Sequence, residues 1–200
     1  MEQQIIITIG RCFGSNGREI GQRLSESLGI GFYDRNLIDM AAKKSGIGRN
    51  VVGNADEKLI GRFREMTSGL ELFSDNPNEK IYRAQSEVIR AIAKRGESCV
   101  IVGRGADYVL RNRPEVLKVF IFAPEEKRVQ TVMERYHFSR EEAQKVVRHM
   151  DKTRKNYYEY FTDESWNQKE GKDLLVDSSI FGIQGTVELI KAALELKFRE

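Results

Sequence analysis

Apolar residues along this chain gather into short continuous runs, separated by stretches with a helical rhythm. Runs at 5–9, 98–102, 116–122 and 174–176 read as buried strands, and 30–33 is a shorter fifth. They are rich in Ile, Val and Phe without clean alternation, which predicts parallel strands covered on both faces. Residues 18–28 place Ile20, Leu24 and Leu28 at fourfold spacing. Residues 79–95 carry Ile81, Val88, Ile89 and Ile92, and residues 185–198 carry Val187, Leu189, Ile190, Leu194 and Leu196. Pro124 suits a first helical position, with Glu125 and Glu126 where the helix dipole favours acids. Ser139 and Glu142 have the spacing of a capping box opening another helix. Strands alternating with helices predict an α/β fold, a three-layer α/β/α sandwich on a five-stranded parallel sheet. Residues 1–200 read as a single domain. The polar stretch 50–78 has few apolar anchors, which predicts a helical excursion around 46–78 outside the main sheet.

Charge narrows the partners. Lys and Arg total 33 against 30 Asp and Glu, a net charge of +3. That balance argues against a dedicated nucleic-acid binder, while local basic clusters remain able to hold phosphates. Cys12 and Cys99 lie far apart without metal-ligand spacing, so the expectation is a reduced, cytoplasmic setting. No apolar run approaches the roughly 20 residues that span a bilayer, so no membrane partner is expected.

The chemistry concentrates after the first strand. Phe13, Gly14, Ser15, Asn16 and Gly17 are followed by Arg18 and Glu19 and then by the amphipathic 18–28 stretch. Strand, Gly-rich turn and helix in this order bring backbone N–H groups and a positive helix end onto one anion. Read against G-x-x-x-x-G-K-[ST] the match fails, because Arg18 and Glu19 stand at the Lys and Ser/Thr positions and Cys12 at the first Gly. An ordinary Gly-rich turn fits the segment alone equally well. Asp34 and Arg35 follow the 30–33 strand, and Gly103 and Arg104 follow the 98–102 strand. The carboxyl edge of a parallel sheet is where α/β proteins bind ligands. Farther on, Arg148, Lys152 and Lys155 share one helix face, as do Asp151, Arg154 and Tyr158.

In order and spacing, these segments resemble the cytidylate kinase-like family of nucleoside monophosphate kinases, within the P-loop superfamily. Phe13–Glu19 is similar to the loop of a divergent branch, Phe-Gly-Ser-x-Gly-Arg-Glu. Phe32-Tyr-Asp-Arg35 resembles the start of that family's monophosphate segment, and Val102-Gly-Arg-Gly105 its Asp-Gly-Arg-Asp. Residues 148–160 resemble its lid, within a lid-like region around 139–165, and Asp177-Ser-Ser179 the turn beside the donor base. The resemblance implies ATP and Mg²⁺ as cofactors and nucleotides as partners. It places donor phosphates on Phe13 through Glu19, Mg²⁺ at Glu19 and the acceptor on Asp34, Arg35 and Arg104. Arg18 would be the catalytic cation of the loop, and Arg154, with Lys152 or Arg148, would neutralise the transferring group.

Three departures weigh against strong catalysis: Arg18 for Lys, Glu19 for Ser/Thr, and Val102 and Gly105 for the acids flanking Gly-Arg. Arg is a planar fork rather than a point charge. A carboxylate in a phosphate cradle repels the ligand unless a metal intervenes. The expectations are therefore phosphoryl transfer to a CMP-like acceptor, a nucleotide-binding regulatory module, or a kinase of a non-nucleotide small molecule. Asp34 reads equally as a helix cap and as a ligand contact. Cys12 is expected to be a small buried residue, and Tyr157, Tyr158, Tyr160 and Phe161 packing residues. Trp166 would anchor the connection into the last strand. Residues 50–78 would form a dimerisation arm, giving a homodimer, or an acceptor lid.

Overall fold

The computed structural model describes residues 4–34 and 79–199. Arg35 and the proposed excursion around 46–78 lie outside the described residues. Five parallel strands form one sheet in the order β2-β3-β1-β4-β5. They are β1 (Ile6–Arg11), β2 (Gly31–Tyr33), β3 (Cys99–Val102), β4 (Val116–Phe122) and β5 (Leu174–Asp177). Each end lies within two residues of the apolar stretch that predicts it. The described helices are α1 (Gly17–Leu28), α2 (Glu79–Lys94), α3 (Ala106–Val109), α4 (Glu125–Tyr136), α5 (Arg140–Thr162) and α6 (Ser178–Lys197).

Alternate residues of the sheet feed two cores, as the two-residue period of a strand requires. On one face Ile6, Cys99, Ile101 and Val116 pack with Val88, Ile89 and Ile92 of α2 and with Leu110. On the other, Ile7, Ile9, Val100, Val119 and Ile121 pack with Ile20 and Leu24 of α1 and with Val187, Ile190 and Leu194 of α6. Both faces are dry, hence the continuous apolar runs. A third cluster joins the loop residue Phe13 to α4 and α5 through Val129, Val132, Phe138, Ala143, Val146 and Val147.

Local chemistry sets the helix ends. The Ser139 hydroxyl accepts from the Glu142 N–H, and the Glu142 carboxylate accepts from the Ser139 N–H at 2.8 Å, completing the capping box. The last helix departs from its expected start at 185. Asp177 accepts from the Ser179 N–H at 2.9 Å and begins a turn at once. Gly182 (φ 63°, ψ −173°) then breaks the helix in a conformation essentially confined to glycine, so α6 is two helical pieces. No helix among the described residues is long and apolar enough to cross a membrane.

The strand order places the site. The chain lays β2 and β3 on one side of β1 and then crosses to β4 and β5 on the other. The crevice beyond the carboxyl end of β1, where the order reverses, is the natural ligand position in such a sheet. The Gly-rich loop, the 103–105 turn and the inner face of α5 all meet there.

Candidate functional site

The loop between β1 and α1 is tightly held. Gly14 (φ 80°) and Asn16 (φ 58°) both take left-handed backbone conformations. The Ser15 hydroxyl lies 3.0 Å from the Cys12 carbonyl and 3.1 Å from that of Ile121, tying the loop to the ends of β1 and β4. Both polar backbone groups of Phe13 are taken by one ion pair. Its N–H donates to Asp151 at 2.7 Å, and its carbonyl accepts from Arg128 at 3.0 Å. Arg128 and Asp151 bond each other at 2.6 Å, and Arg128 also donates to the Ala123 carbonyl at 2.9 Å. Arg128 is nearly inaccessible.

Gly14 is irreplaceable on two counts. Its φ is positive, and a Cβ there would stand 2.7 Å from the Arg128 carbonyl oxygen, which belongs to backbone and cannot swing aside. Gly14→Ala is expected to destabilise the chain by at least the left-handed strain of about 1–2 kcal/mol. Thermal unfolding would show it as a lower Tm, and an unchanged Tm would mean that the loop does not hold this conformation.

At the start of α1, the first intrahelical bond runs from the Ile20 N–H to the Asn16 carbonyl at 2.9 Å. The N–H groups of Gly17, Arg18 and Glu19 therefore precede the helical ladder, the arrangement that receives phosphate oxygens. Donor phosphates fit these residues. The side chains of Arg18 and Glu19 are otherwise engaged. Arg18 Nε bonds Asp34 at 2.8 Å, so of the two readings of Asp34 the visible contact is with the loop's own cation. Glu19 pairs with Arg23 and with Arg135, each at 2.8 Å, and Arg135 also donates to Asn16 Oδ1 at 3.0 Å. A carboxylate held by two guanidiniums is a poor fit for Mg²⁺. Among the described residues no three His, Cys, Asp or Glu side chains group to hold a metal.

Beside the loop opens a cavity of about 260 Å³. Its walls come from the end of β1 (Gly10, Arg11), the turn after β3 (Gly103, Arg104, Gly105), Asp107, Phe120, Lys172 and Trp166, together with α5. Arg11, Arg104 and Arg154 line it, with Asp107 the one carboxylate among its described lining residues. Arg154 Nη1 donates to the Arg11 carbonyl at 3.1 Å, and its guanidinium lies 5.3 Å from the centre of the Phe13 ring. The Arg104 guanidinium lies 5.9 Å from the Tyr157 ring. Gly103 makes room for Arg11: a Cβ there would come within 2.0 Å of Arg11 Nη1. The cavity is therefore cationic, and it suits an anion.

The helix-face reading of α5 separates its charges. Asp151, Arg154 and Tyr158 turn inward onto the loop, the cavity and its floor. Arg148, Lys152 and Lys155 are exposed. Arg148 pairs with Glu125 at 2.8 Å, and Lys152 is not among the cavity's lining residues. The aromatic residues divide as well. Tyr157 and Tyr158 line the cavity, Phe161 stacks on Tyr82 with ring centres 4.0 Å apart, and Tyr160 is largely exposed. Trp166 stands edge-on to Phe120 at 5.4 Å, anchoring the connection and closing the cavity. Arg11, Asp107, Arg128, Asp151 and Lys172 carry no motif signal. For Asp151 alone, the sequence offered a helix face shared with Arg154 and Tyr158, without its direction.

Cys12 is half-buried rather than buried. Burial, and then the neighbouring Asp151 carboxylate, push its thiol up to about 11, and burial pushes Cys99 up to about 12. A raised thiol pKa means a neutral sulfur at neutral pH, and the thiolate is the nucleophile. Alkylation of Cys12 by iodoacetamide at pH 8 is expected to be far slower than that of a free cysteine, and to accelerate toward pH 11. Rapid labelling at pH 7 would contradict this.

A Gly-rich loop between the central strand and α1, a five-stranded parallel sheet and a cationic cavity at its carboxyl edge define a P-loop kinase-like α/β protein. A model of the cytidylate kinase-like family matches residues 6–180, and the chain belongs to that family. No curated protein sequence matches it. Among solved structures, an uncharacterized protein from Eubacterium ventriosum ATCC 27560 is 26% identical with a TM-score of 0.71, covering 96% of this chain and 99% of that one. Shikimate kinase from Bacteroides thetaiotaomicron is 14% identical with a TM-score of 0.55, covering 96% and 98%. A gluconokinase from Sinorhizobium meliloti 1021 is 15% identical with a TM-score of 0.50, covering 100% and 99%. The last two are likenesses of fold.

Proposed function

We propose that this protein transfers a phosphoryl group from ATP to a small acceptor, with a CMP-like nucleoside monophosphate as the first candidate. The observation that carries the reading is the meeting of Arg11, Arg104 and Arg154 in one cavity directly beside the Gly-rich loop. The α1 N-terminus, through the N–H groups of Gly17, Arg18 and Glu19, would hold the donor phosphates. Arg104 would hold the acceptor's own anion. Arg154, seated between the loop and the cavity, would neutralise charge where the γ-phosphorus leaves the β–γ bridging oxygen and bonds to an acceptor oxygen. Such a reaction is carried mainly by positioning and charge neutralisation, so it requires no dedicated base. Glu19 is committed to Arg23 and Arg135 and is not assigned to Mg²⁺.

Phe120, Tyr157 and Trp166 give the cavity flat apolar walls, which favour an acceptor carrying a ring. The test is ADP formation by the purified protein with ATP, Mg²⁺ and a panel of acceptors. Nucleoside monophosphates form the main arm, and shikimate and gluconate, named by the fold neighbours, form a second. CMP-dependent ADP formation above the ATP-only background supports the nucleotide acceptor. Turnover confined to a sugar or ring acid moves the assignment to a non-nucleotide kinase.

A second reading, a binding module without turnover, is favoured by one contact: Asp151 occupies the Phe13 N–H of the loop. Calorimetric binding of nucleotide without turnover on any acceptor would select it.

A further inference from the structure

Beneath Arg104 and Arg154, three side chains from three separate elements meet. Asp107 comes from α3, Tyr158 from α5, and Lys172 from the segment just before β5. The Tyr158 hydroxyl donates to Asp107 Oδ2 at 3.0 Å. Lys172 Nζ pairs with the same oxygen and donates to the Tyr158 hydroxyl at 3.0 Å. The Lys172 side chain is only 2% exposed and that of Asp107 10%. Burying such a pair is not in itself a stability device, because desolvation offsets much of the attraction. Its position suggests another use.

The turn ahead of Asp107 is strained. Gly103 (φ 79°), Arg104 (φ 60°) and Gly105 (φ 65°) are three consecutive left-handed residues, and Arg104 carries a side chain in a conformation that L-residues avoid. Strain of this kind persists only where the surroundings over-determine it. Asp107 is the first charged residue after the turn, and the cluster fixes it. Tyr158 lies one helical turn beyond Arg154, so the same cluster also fixes the part of α5 that presents Arg154.

We infer that Asp107, Tyr158 and Lys172 form a positioning device that holds Arg104 and Arg154 in register on adjacent phosphate groups. The inference takes its ligand from the proposed phosphoryl transfer. None of the three is assigned a contact with the reacting atoms.

The test is a double-mutant cycle read by calorimetric binding of inorganic pyrophosphate, with the KM and kcat for CMP measured alongside. Lys172→Met is expected to weaken pyrophosphate binding about tenfold, to act more on the acceptor KM than on kcat, and to be largely rescued by Lys172→Arg. In an Arg104→Ala background the same substitution should cost less than in the wild type, because the part of its effect that runs through Arg104 is already lost and only the part through Arg154 remains. Tyr158→Phe, which keeps the ring, should reproduce part of the loss while the protein stays folded. Asp107→Asn combined with Lys172→Met removes the charge pair together and guards against a folding defect. Undiminished binding by folded Lys172→Met, or losses that add in full with Arg104→Ala, would overturn the positioning role. Failure of the wild-type chain to bind pyrophosphate would instead overturn the anion site itself, and this inference with it.

Discussion

Replacing Arg154 by Met is expected to lower kcat/KM by about a hundred- to a thousandfold, the usual loss when one charged donor is taken from a site of developing charge. The geometry supports a functional rather than a structural effect. Arg154 projects from the inner face of α5, lines the cavity and reaches across to the Arg11 carbonyl. Met preserves most of the aliphatic stem and removes the guanidinium, which lies 5.3 Å from the centre of the Phe13 ring. The Tm should therefore move little while turnover collapses. Arg154→Lys should recover only part of the rate, since it restores the charge without the planar fork. Equal turnover in wild type and Arg154→Met would remove this residue from the reaction.

Arg128→Met carries the second large effect, and it falls on stability. Arg128 is nearly inaccessible and makes three bonds, to Asp151, the Phe13 carbonyl and the Ala123 carbonyl. Removing it strands the Asp151 carboxylate and two carbonyls in a poorly solvated place. Breaking one side of a buried pair costs about 3–5 kcal/mol, and the partial exposure of Asp151 sets the lower end. For a chain of this size each kcal/mol lowers Tm by about 2–4 °C, so a fall of about 6–12 °C is expected at that lower end. Arg128→Met with Asp151→Leu should recover part of it, because no charge is then left unpaired. Recovery stays incomplete, since the Phe13 N–H loses its acceptor. Differential scanning calorimetry of the three proteins decides the matter.

The sheet was legible because burial on both faces forces continuous Ile, Val and Phe runs, and those runs coincide with β1, β3, β4 and β5. The Ser139–Glu142 capping box was legible because its chemistry is local. The helix-face stripe of Asp151, Arg154 and Tyr158 was legible for the same reason: 3.6-residue periodicity needs no partner to be read. What each residue on that stripe touches was not, because loop, cavity and floor lie far away in sequence. Lys172 sits among exposed charges at 169, 170 and 173, and nothing local marks it as the residue that turns inward. Arg128 hid among the charges of an amphipathic helix. The helical turn opening at Ser178 was missed because Gly182 interrupts it before the apolar periodicity of 185–198 begins. Glu19 could be read as a metal ligand only while Arg135, more than a hundred residues away, was unseen.

The family assignment and the cavity fit together without each doing the other's job. Membership in the cytidylate kinase-like family accords with the strand, loop and helix order. The departures at Arg18 and Glu19 are met by partners of their own: Asp34 for the first, Arg23 and Arg135 for the second. The altered loop is thus an internally satisfied arrangement. On the proposed reading the N–H groups of the first turn of α1 would receive phosphate, and charge neutralisation would pass to α5 and the 103–105 turn.

The most direct measurement is a crystal structure with a non-hydrolysable ATP analogue and CMP. The account predicts donor phosphates on the N–H groups of Gly17, Arg18 and Glu19, with Arg104 and Arg154 at about 3 Å from acceptor or γ-phosphate oxygens. Nucleotide phosphates bound away from the α1 N-terminus, with Arg104 and Arg154 facing only protein groups, would contradict it.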